Sequence, residues 1–507
     1  MNGIRTHESS ASERRGAGDA VEGADEVVHS SVQPLSPPAR RLSALFDGGH
    51  YEELDALVHH QASRWGMAAK RFDGDGVSIA TGRVHGQPVV AFAQDRRFMG
   101  GSLGEAHARK ICKAMDLAER LGAPMIGLLD SGGARIQEGV AALAGYGEIF
   151  RRNVRMSGRV PQISVVLGPC AGGAVYSPAI TDFIVLSRPD ALMFVTGPKV
   201  VKQVMFEDID ASTLGGAAVH AALSGVAHLI EADEAAAMAR TRDLIGFLRV
   251  TRAPSEEPGD DAPFEEIVSA NHRRAYDVRR IIRKLADRGT VIEIQADYAK
   301  NIVVALARIE GRAVGIVANQ PKERAGVLDI DASRKAARFV RTMSVFGIPI
   351  VTLVDVPGFM PGSKQEHGGV IVHGAKLLYA YCEARVPRIT VVLRKAFGGA
   401  YIVMSSKHVG CDVNLAWPGA QVSVMGAEGA VEVLHGKELQ AAADPKARFD
   451  DLCARYREEY MSVRVAAERG WIDEVIEPSD TRRKLAHYLS MLESAGASAG
   501  THGNIPL

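Results

Sequence analysis

The chain has 507 residues, and its 60 Lys and Arg are matched by 60 Asp and Glu, leaving no net charge. That balance excludes the basic footprint of a nucleic-acid binder or of a protein held to anionic lipid by charge. With 46% hydrophobic and 24% charged residues the composition is globular, and the length exceeds one ordinary core, so two domains are expected.

Residues 1–40 lack the apolar stretch of a signal peptide and are rich in Ser, Ala, Gly, Glu and Pro; they read as a disordered tail. Tyr51 to Trp65 has helical spacing, with Leu54, Leu57 and Val58 on one face. Asp73 to Phe92 alternates strand-like runs with turn residues and reads as the start of a sheet. Glu105 to Leu121 reads as an amphipathic helix, with Ala108, Ile111, Cys112 and Met115 inward. Strands and helices then alternate, which implies βαβ units and a mostly parallel sheet. Pro254 to Pro263 is polar and proline-rich, and 254–270 reads as a linker between domains 41–253 and 271–507. The second domain opens on a basic helix, Val278 to Asp287, followed by strands at Thr290–Ile294, Ile302–Leu306 and Gly315–Gln320. A helix follows from Ser333 to Phe346. A charged helical segment spans about Arg448 to Glu468.

The two domains repeat each other. Gly122-Ala123-Pro124-Met125-Ile126 is echoed by Gly347-Ile348-Pro349-Ile350-Val351, an offset of 225 residues. Val160-Pro161-Gln162-Ile163 is echoed by Val386-Pro387-Arg388-Ile389, and Ala171-Gly172-Gly173-Ala174 by Phe397-Gly398-Gly399-Ala400, each at an offset of 226. A buried strand that ends in Gly-Gly-Ala and enters a helix presents backbone N–H groups without helical partners. Two such groups can hold an oxyanion, and glycine lets the ligand approach. Tight strand–helix packing alone would explain one such turn; two at matched positions favour a paired site.

Little acid–base machinery surrounds these turns. There is no G-x-S-x-G elbow, no H-E-x-x-H and no G-x-G-x-x-G fingerprint after a strand. Asp130 and Asp355, at the ends of buried strands, read as turn caps. Asp355-Val356-Pro357-Gly358 imitates a GTP-binding turn, but no phosphate loop precedes it. The five cysteines form no C-x-x-C pair, so no metal site is expected, and their scatter fits the cytoplasm. No run of about 18 apolar residues exists to cross a membrane.

Several motifs carry a family resemblance. Asp130-Ser131-Gly132-Gly133-Ala134-Arg135-Ile136-Gln137-Glu138-Gly139, Gly168-Pro169-Cys170-Ala171-Gly172-Gly173-Ala174, Ala318-Asn319-Gln320-Pro321, Asp355-Val356-Pro357-Gly358-Phe359 and Gly398-Gly399-Ala400-Tyr401 are the main ones. Through them the chain resembles the carboxyltransferase (β) subunits of biotin-dependent acyl-CoA carboxylases, over roughly Ala44 to Glu477. The resemblance implies an α/β fold of two tandem crotonase-like domains, each a ββα superhelix. It implies a homo-hexamer, a dimer of trimers, with each active site between domains of two chains. Acyl-CoA is then expected on the first domain and carboxybiotin on the second. Gly172 and Gly173 would hold the acyl-CoA enolate, with Ala171 and Ala134 beside the substrate. Gly399 and Ala400 would hold the biotin ureido oxygen, with Tyr401 and Ile402 shaping the acyl pocket. In the implied reaction the thioester's α-proton is taken by the biotin anion, and the enolate attacks CO₂.

No Ala-Met-Lys-Met-like biotinylation sequence and no Gly-rich ATP-binding domain is present, so a separate biotinylated subunit with biotin carboxylase activity is expected. The resemblance also fails at one informative place. Ile402 stands where propionyl-CoA carboxylases of this group typically have Asp, which implies a reshaped pocket admitting acetyl-CoA and longer acyl-CoAs. Three rivals are a biotin-dependent decarboxylase subunit, a crotonase-type hydratase or isomerase, and a non-catalytic acyl-CoA-binding scaffold. The second does not explain the duplication, and intact paired turns argue against the third.

Overall fold

The computed structural model describes residues 35–493, apart from 251, 270 and 273, and residues 502–506. Most of the segment read as a tail therefore lies outside the described residues. A helix, Pro37–Leu45, begins within its last residues and buries Arg41, Leu42 and Leu45.

The first three strands are antiparallel, the second and third joined at His85-Gly86, whose positive φ angles suit a two-residue hairpin turn. They are β1 (Tyr51–Leu54), β2 (Val77–Val84) and β3 (Gln87–Gln94), paired in that order. Of the next strands the central three are almost wholly buried, as expected where helices cover both faces of a parallel sheet. In chain order the strands are β4 (Met125–Ser131), β5 (Gln162–Ala171), β6 (Phe183–Ser187), β7 (Leu192–Phe194) and β8 (Leu229–Glu231). Their order is β1-β2-β3-β4-β5-β6-β8, with β7 beside the end of β5.

The second sheet repeats this plan. Its strands are β9 (Ile292–Ile294), β10 (Ile302–Ile309), β11 (Arg312–Asn319), β12 (Ile350–Val356), β13 (Arg388–Phe397), β14 (Val413–Ala416), β15 (Gln421–Ser423) and β16 (Glu474–Val475). The order is β9-β10-β11-β12-β13-β14-β16, with β15 beside the end of β13. β9 to β11 are antiparallel and β11 to β14 parallel.

From Pro37 onward the chain is one compact unit. One apolar cluster runs through both halves, including Ile126, Val165 and Val185 from the first sheet and Ile302, Val317 and Val354 from the second. Separate clusters cover the other face of each sheet, one under the Glu105–Leu121 helix and one under the Val278–Leu285 helix. The halves are also tied at the chain's end. Asn504 donates from Nδ2 to Asp182 Oδ1 (2.8 Å) in the first half and to Thr342 Oγ1 (3.0 Å) in the second.

The expectations over 51–65 and at two strand bounds need correction. The helix read over 51–65 is the strand β1 followed by turns, because Tyr51 to Leu54 complete the edge of the sheet against β2. Leu57, placed on the helix's apolar face, is 78% exposed. Sheet pairing has overridden a short helical period. The strand read over Thr290–Ile294 is only its last three residues, and the strand read over Gly315–Gln320 belongs to the longer β11, which ends at Asn319. The proline-rich stretch before Phe264 is laid along the second half: Gly259 N–H donates to Arg283 O (2.9 Å) and to Ala286 O. The Phe264–Ile267 helix beyond it is docked by Phe264 on Trp417.

Candidate active site

β5 and β13 end in the same turn. Gly172 and Gly398 both take φ +61°, a left-handed conformation that favours glycine. The chain then enters a 3₁₀ turn, Gly172–Val175, and the Tyr176–Ile180 helix in the first half. In the second it enters the Gly398–Val403 helix directly. The leading N–H groups of each turn have no partner within the helix they start.

Behind the backbone the turns differ. A Cβ on Gly173 would stand 2.9 Å from the Tyr146 ring, so this glycine is seated on an aromatic floor. Tyr146 stacks on Phe150, which meets Tyr176 edge-on. A Cβ on Gly399 would meet nothing within 4 Å. Ala400 is fully buried, Tyr401 is 6% exposed, and Ile402 is half-buried against the core. The Tyr401 hydroxyl has no hydrogen-bond partner, and burial pushes its pKa up to about 12. Cys170, which donates to Ala174 O, is likewise pushed up by burial to about 12 and is no nucleophile.

Of the residues singled out in the first half, Ala171, Gly172, Gly173 and Ala134 are brought together. Gly133, at φ +98°, approaches so closely that a Cβ would stand 2.8 Å from Ala171 O. Ala134 bridges to Leu103 on the other side. Arg135 pins this loop from below. Its guanidinium is buried and donates to Asp75 Oδ1 (2.7 Å), Glu138 Oε1 (2.8 Å) and Ser102 O (2.9 Å). In the second half Gly399, Ala400, Tyr401 and Ile402 lie on one short helix. Each group packs on elements of its own half. The first turn packs on β5, β7 and the Val140–Met156 helix; the second packs on β12, β13, the Val370–Glu383 helix and the Lys407–Val409 turn.

The aspartates read as turn caps are buried ion-pair partners. Asp355 Oδ2 accepts from Arg394 Nε (3.0 Å) and Oδ1 from the Lys395 N–H (3.2 Å). Arg394 also lies over the Tyr276 ring, 5.0 Å from its centroid. Asp130 Oδ2 accepts from both terminal nitrogens of Arg41 (3.3 Å each), and Arg41 also holds Glu234. Burial raises the pKa of both carboxyls, opposed by the neighbouring arginines. Sequence reading missed these pairs and the Tyr146 floor because Arg41, Tyr146 and Arg394 belong to no local motif around the residues they touch. Among the described residues no group of three or more His, Cys, Asp or Glu could hold a metal ion, and no helix is long and apolar enough to cross a membrane.

The model of the carboxyl transferase domain matches residues 38–505. The chain belongs to the carboxyl transferase domain family. It is 50% identical over 495 residues to the propionyl-CoA carboxylase carboxyltransferase subunit of Haloferax mediterranei, covering 96% of each chain. It is 48% identical over 477 residues to the methylmalonyl-CoA decarboxylase subunit alpha of Propionigenium modestum, covering 92% of this chain and 93% of that one. Among solved structures it resembles transcarboxylase 12S, described as a hexamer assembly with methylmalonyl-coenzyme A bound. The TM-score is 0.88 at 47% identity, over 93% and 92% of the two chains. The two matched halves are thus the tandem crotonase-like fold, and the chain is a biotin-dependent type of carboxyltransferase.

Proposed function

We propose that this chain transfers a carboxyl group from carboxybiotin to the α-carbon of a short-chain acyl-CoA. The products are malonyl-CoA or an alkylmalonyl-CoA. The observation that carries this reading is the duplicated strand–glycine–helix turn, present at equivalent strand ends in both halves. The first half, 41–253, takes the acyl-CoA and the second, 271–507, takes the biotin.

Biotin, borne by a separate biotinylated subunit, supplies the activated carboxyl group. The reading is supported at the second turn by the room beside Gly399, where a Cβ would meet nothing within 4 Å. The Gly399 and Ala400 amides hold its ureido oxygen. The Gly172 and Gly173 amides hold the thioester oxygen as negative charge develops there, and Ala171 and Ala134 line the approach. Preorganised donors of this kind act where charge appears in the transition state. Each site takes its first turn from one copy and its second from another, a reading supported by two turns that pack on different halves of the chain. A homo-hexamer in the cytoplasm, resembling the assembly described for transcarboxylase 12S, provides such contacts.

Ile402, half-buried one helix position beyond Tyr401, gives the acyl pocket an apolar wall, so acetyl-CoA and butyryl-CoA are accepted with propionyl-CoA. The test is a coupled ATP, bicarbonate and acyl-CoA assay with the cognate biotinylated subunit. Strict propionyl-CoA preference would sink the Ile402 assignment. A second reading is favoured by the decarboxylase relative: the same turns run the transfer in reverse. Net release of CO₂ from methylmalonyl-CoA under the same conditions, with no carboxylation, would select it.

A further inference from the structure

Residues 502–506 join no strand or helix, yet Asn504 among them is only 1% exposed. Segments without secondary structure ordinarily run over the surface, where water satisfies their backbone. Here side chains of the two halves take that place. The Gly503 carbonyl accepts from Arg341 Nη2 (2.9 Å), and the Asn504 carbonyl accepts from Arg338 Nη1. The Asn504 N–H donates to Ser157 Oγ (2.8 Å). Arg338 and Arg341 stand on the Ile330–Val345 helix of the second half, and Ser157 directly follows the Val140–Met156 helix of the first.

The side chain at 504 is read as well. Its amide nitrogen donates to both Asp182 Oδ1 and Thr342 Oγ1, so each of its two protons meets an acceptor. Asp182 is buried, and its other oxygen accepts from the Gln162 N–H (2.8 Å). Alanine at 504 would leave one buried oxygen of Asp182 without this donor, and aspartate would set a second carboxylate against it. Backbone shape adds a further limit. A Cβ on Gly158, at φ +74°, would stand 2.5 Å from the His502 carbonyl oxygen, so glycine there admits the segment. Bonds to a segment's main chain, with one pocket reading one side chain, are how folded proteins recognise peptides.

The same contacts reach the first glycine turn. Asp182 lies two residues beyond the Tyr176–Ile180 helix that this turn enters, and between them the Thr181 carbonyl accepts from Arg338 Nη2 (3.0 Å). Arg338 therefore bonds Asn504 and the end of that helix at once. We infer that the seam between the halves is a peptide-recognition site for a Gly-Asn segment, filled by the chain's own residues 502–506, and that filling it fixes the helix behind the first glycine turn against the second half. The site stands independently of the reaction proposed above.

A chain ended at residue 501 and a synthetic peptide of residues 502–507 test this. Isothermal titration should show saturable binding of one peptide per shortened chain, and none to the intact protein, whose own segment fills the groove. A peptide with alanine in place of the asparagine should bind at least about tenfold more weakly, the scale of a buried hydrogen bond to a carboxylate. Hydrogen exchange over residues 176–182 should be at least about tenfold faster in the shortened chain and return to the intact rate when the peptide is added. If the shortened chain does not fold, full-length Asn504→Ala carries the test: exchange over 176–182 should quicken, and the added peptide should slow it again. No binding to the shortened chain, equal binding of the alanine peptide, equal binding to the intact protein, or unchanged exchange over 176–182 in either variant overturns the proposal.

Discussion

The first and second glycine turns share a backbone and differ in what stands behind it. Gly173 rests on the Tyr146 ring, whereas Gly399 faces open space. Asp130 borders a cavity, whereas Asp355 is enclosed with Arg394. Duplication has preserved the positions of the amides and left their surroundings free to diverge. The shared backbone fits the oxyanion role proposed for both turns, and the different surroundings fit the two different ligands proposed for them.

Breaking the ion pairs exposes the contrast most strongly. Arg394→Ala strands a buried Asp355 carboxylate and should cost about 3–5 kcal/mol of stability. Arg41→Ala should cost less, about 1–3 kcal/mol, because Asp130 borders a cavity with Arg96 nearby. Chemical denaturation of both variants checks the order, and equal losses would remove the distinction.

Ile402→Asp tests the acyl pocket. Preference among acetyl-, propionyl- and butyryl-CoA, read as ratios of kcat/KM, should move toward propionyl-CoA by about 10–200-fold per methylene. A glycine-to-alanine pair sharpens the comparison further. Gly173→Ala should lose about 1–3 kcal/mol by crowding Tyr146, while Gly399→Ala should stay within about 0.5 kcal/mol. Thermal unfolding of the two variants side by side is sufficient.

Much of this was legible from the sequence, and the exceptions have physical causes. Repeats at an offset of 225 to 226 residues expose the duplicated sheet, because the same buried strands and turns must be encoded twice. The Glu105–Leu121 helix is read to its ends, since a long apolar stripe bounded by Gly104 and Gly122 leaves little ambiguity. β1 was misread because four residues carry too little periodicity to outweigh an edge pairing formed with a distant strand. The turns at Gly172 and Gly398 were visible; Arg41, 89 residues from Asp130, was not. Gly168-Pro169 and Arg394-Lys395 are both plain in the sequence, but that they lie opposite Asp130 and Asp355, and that the second pair donates to its aspartate, shows only once the strands are aligned.

A further effect concerns pH. Burial pushes His107 and His228, both in the first half, from 6.5 down to about 3. They stay neutral in the folded chain while the unfolded chain binds protons below pH 6.5. Stability should therefore fall as pH drops from about 6.5 toward 3, by up to about 1.4 kcal/mol per pH unit for each. His228→Gln should flatten that slope in pH-dependent denaturation; an unaltered slope would show that His228 titrates normally.

The central claim is that one site uses the first turn of one chain and the second turn of another. Gly173→Pro and Ala400→Pro each remove one amide donor and should lower carboxyl transfer by about 10²–10³ while sparing assembly. Co-expressed in equal amounts, the two chains should recover about a quarter of wild-type activity, because random pairing places two intact turns together at one site in four. Assembled hybrids with no activity above that of either variant alone would contradict a site shared between chains.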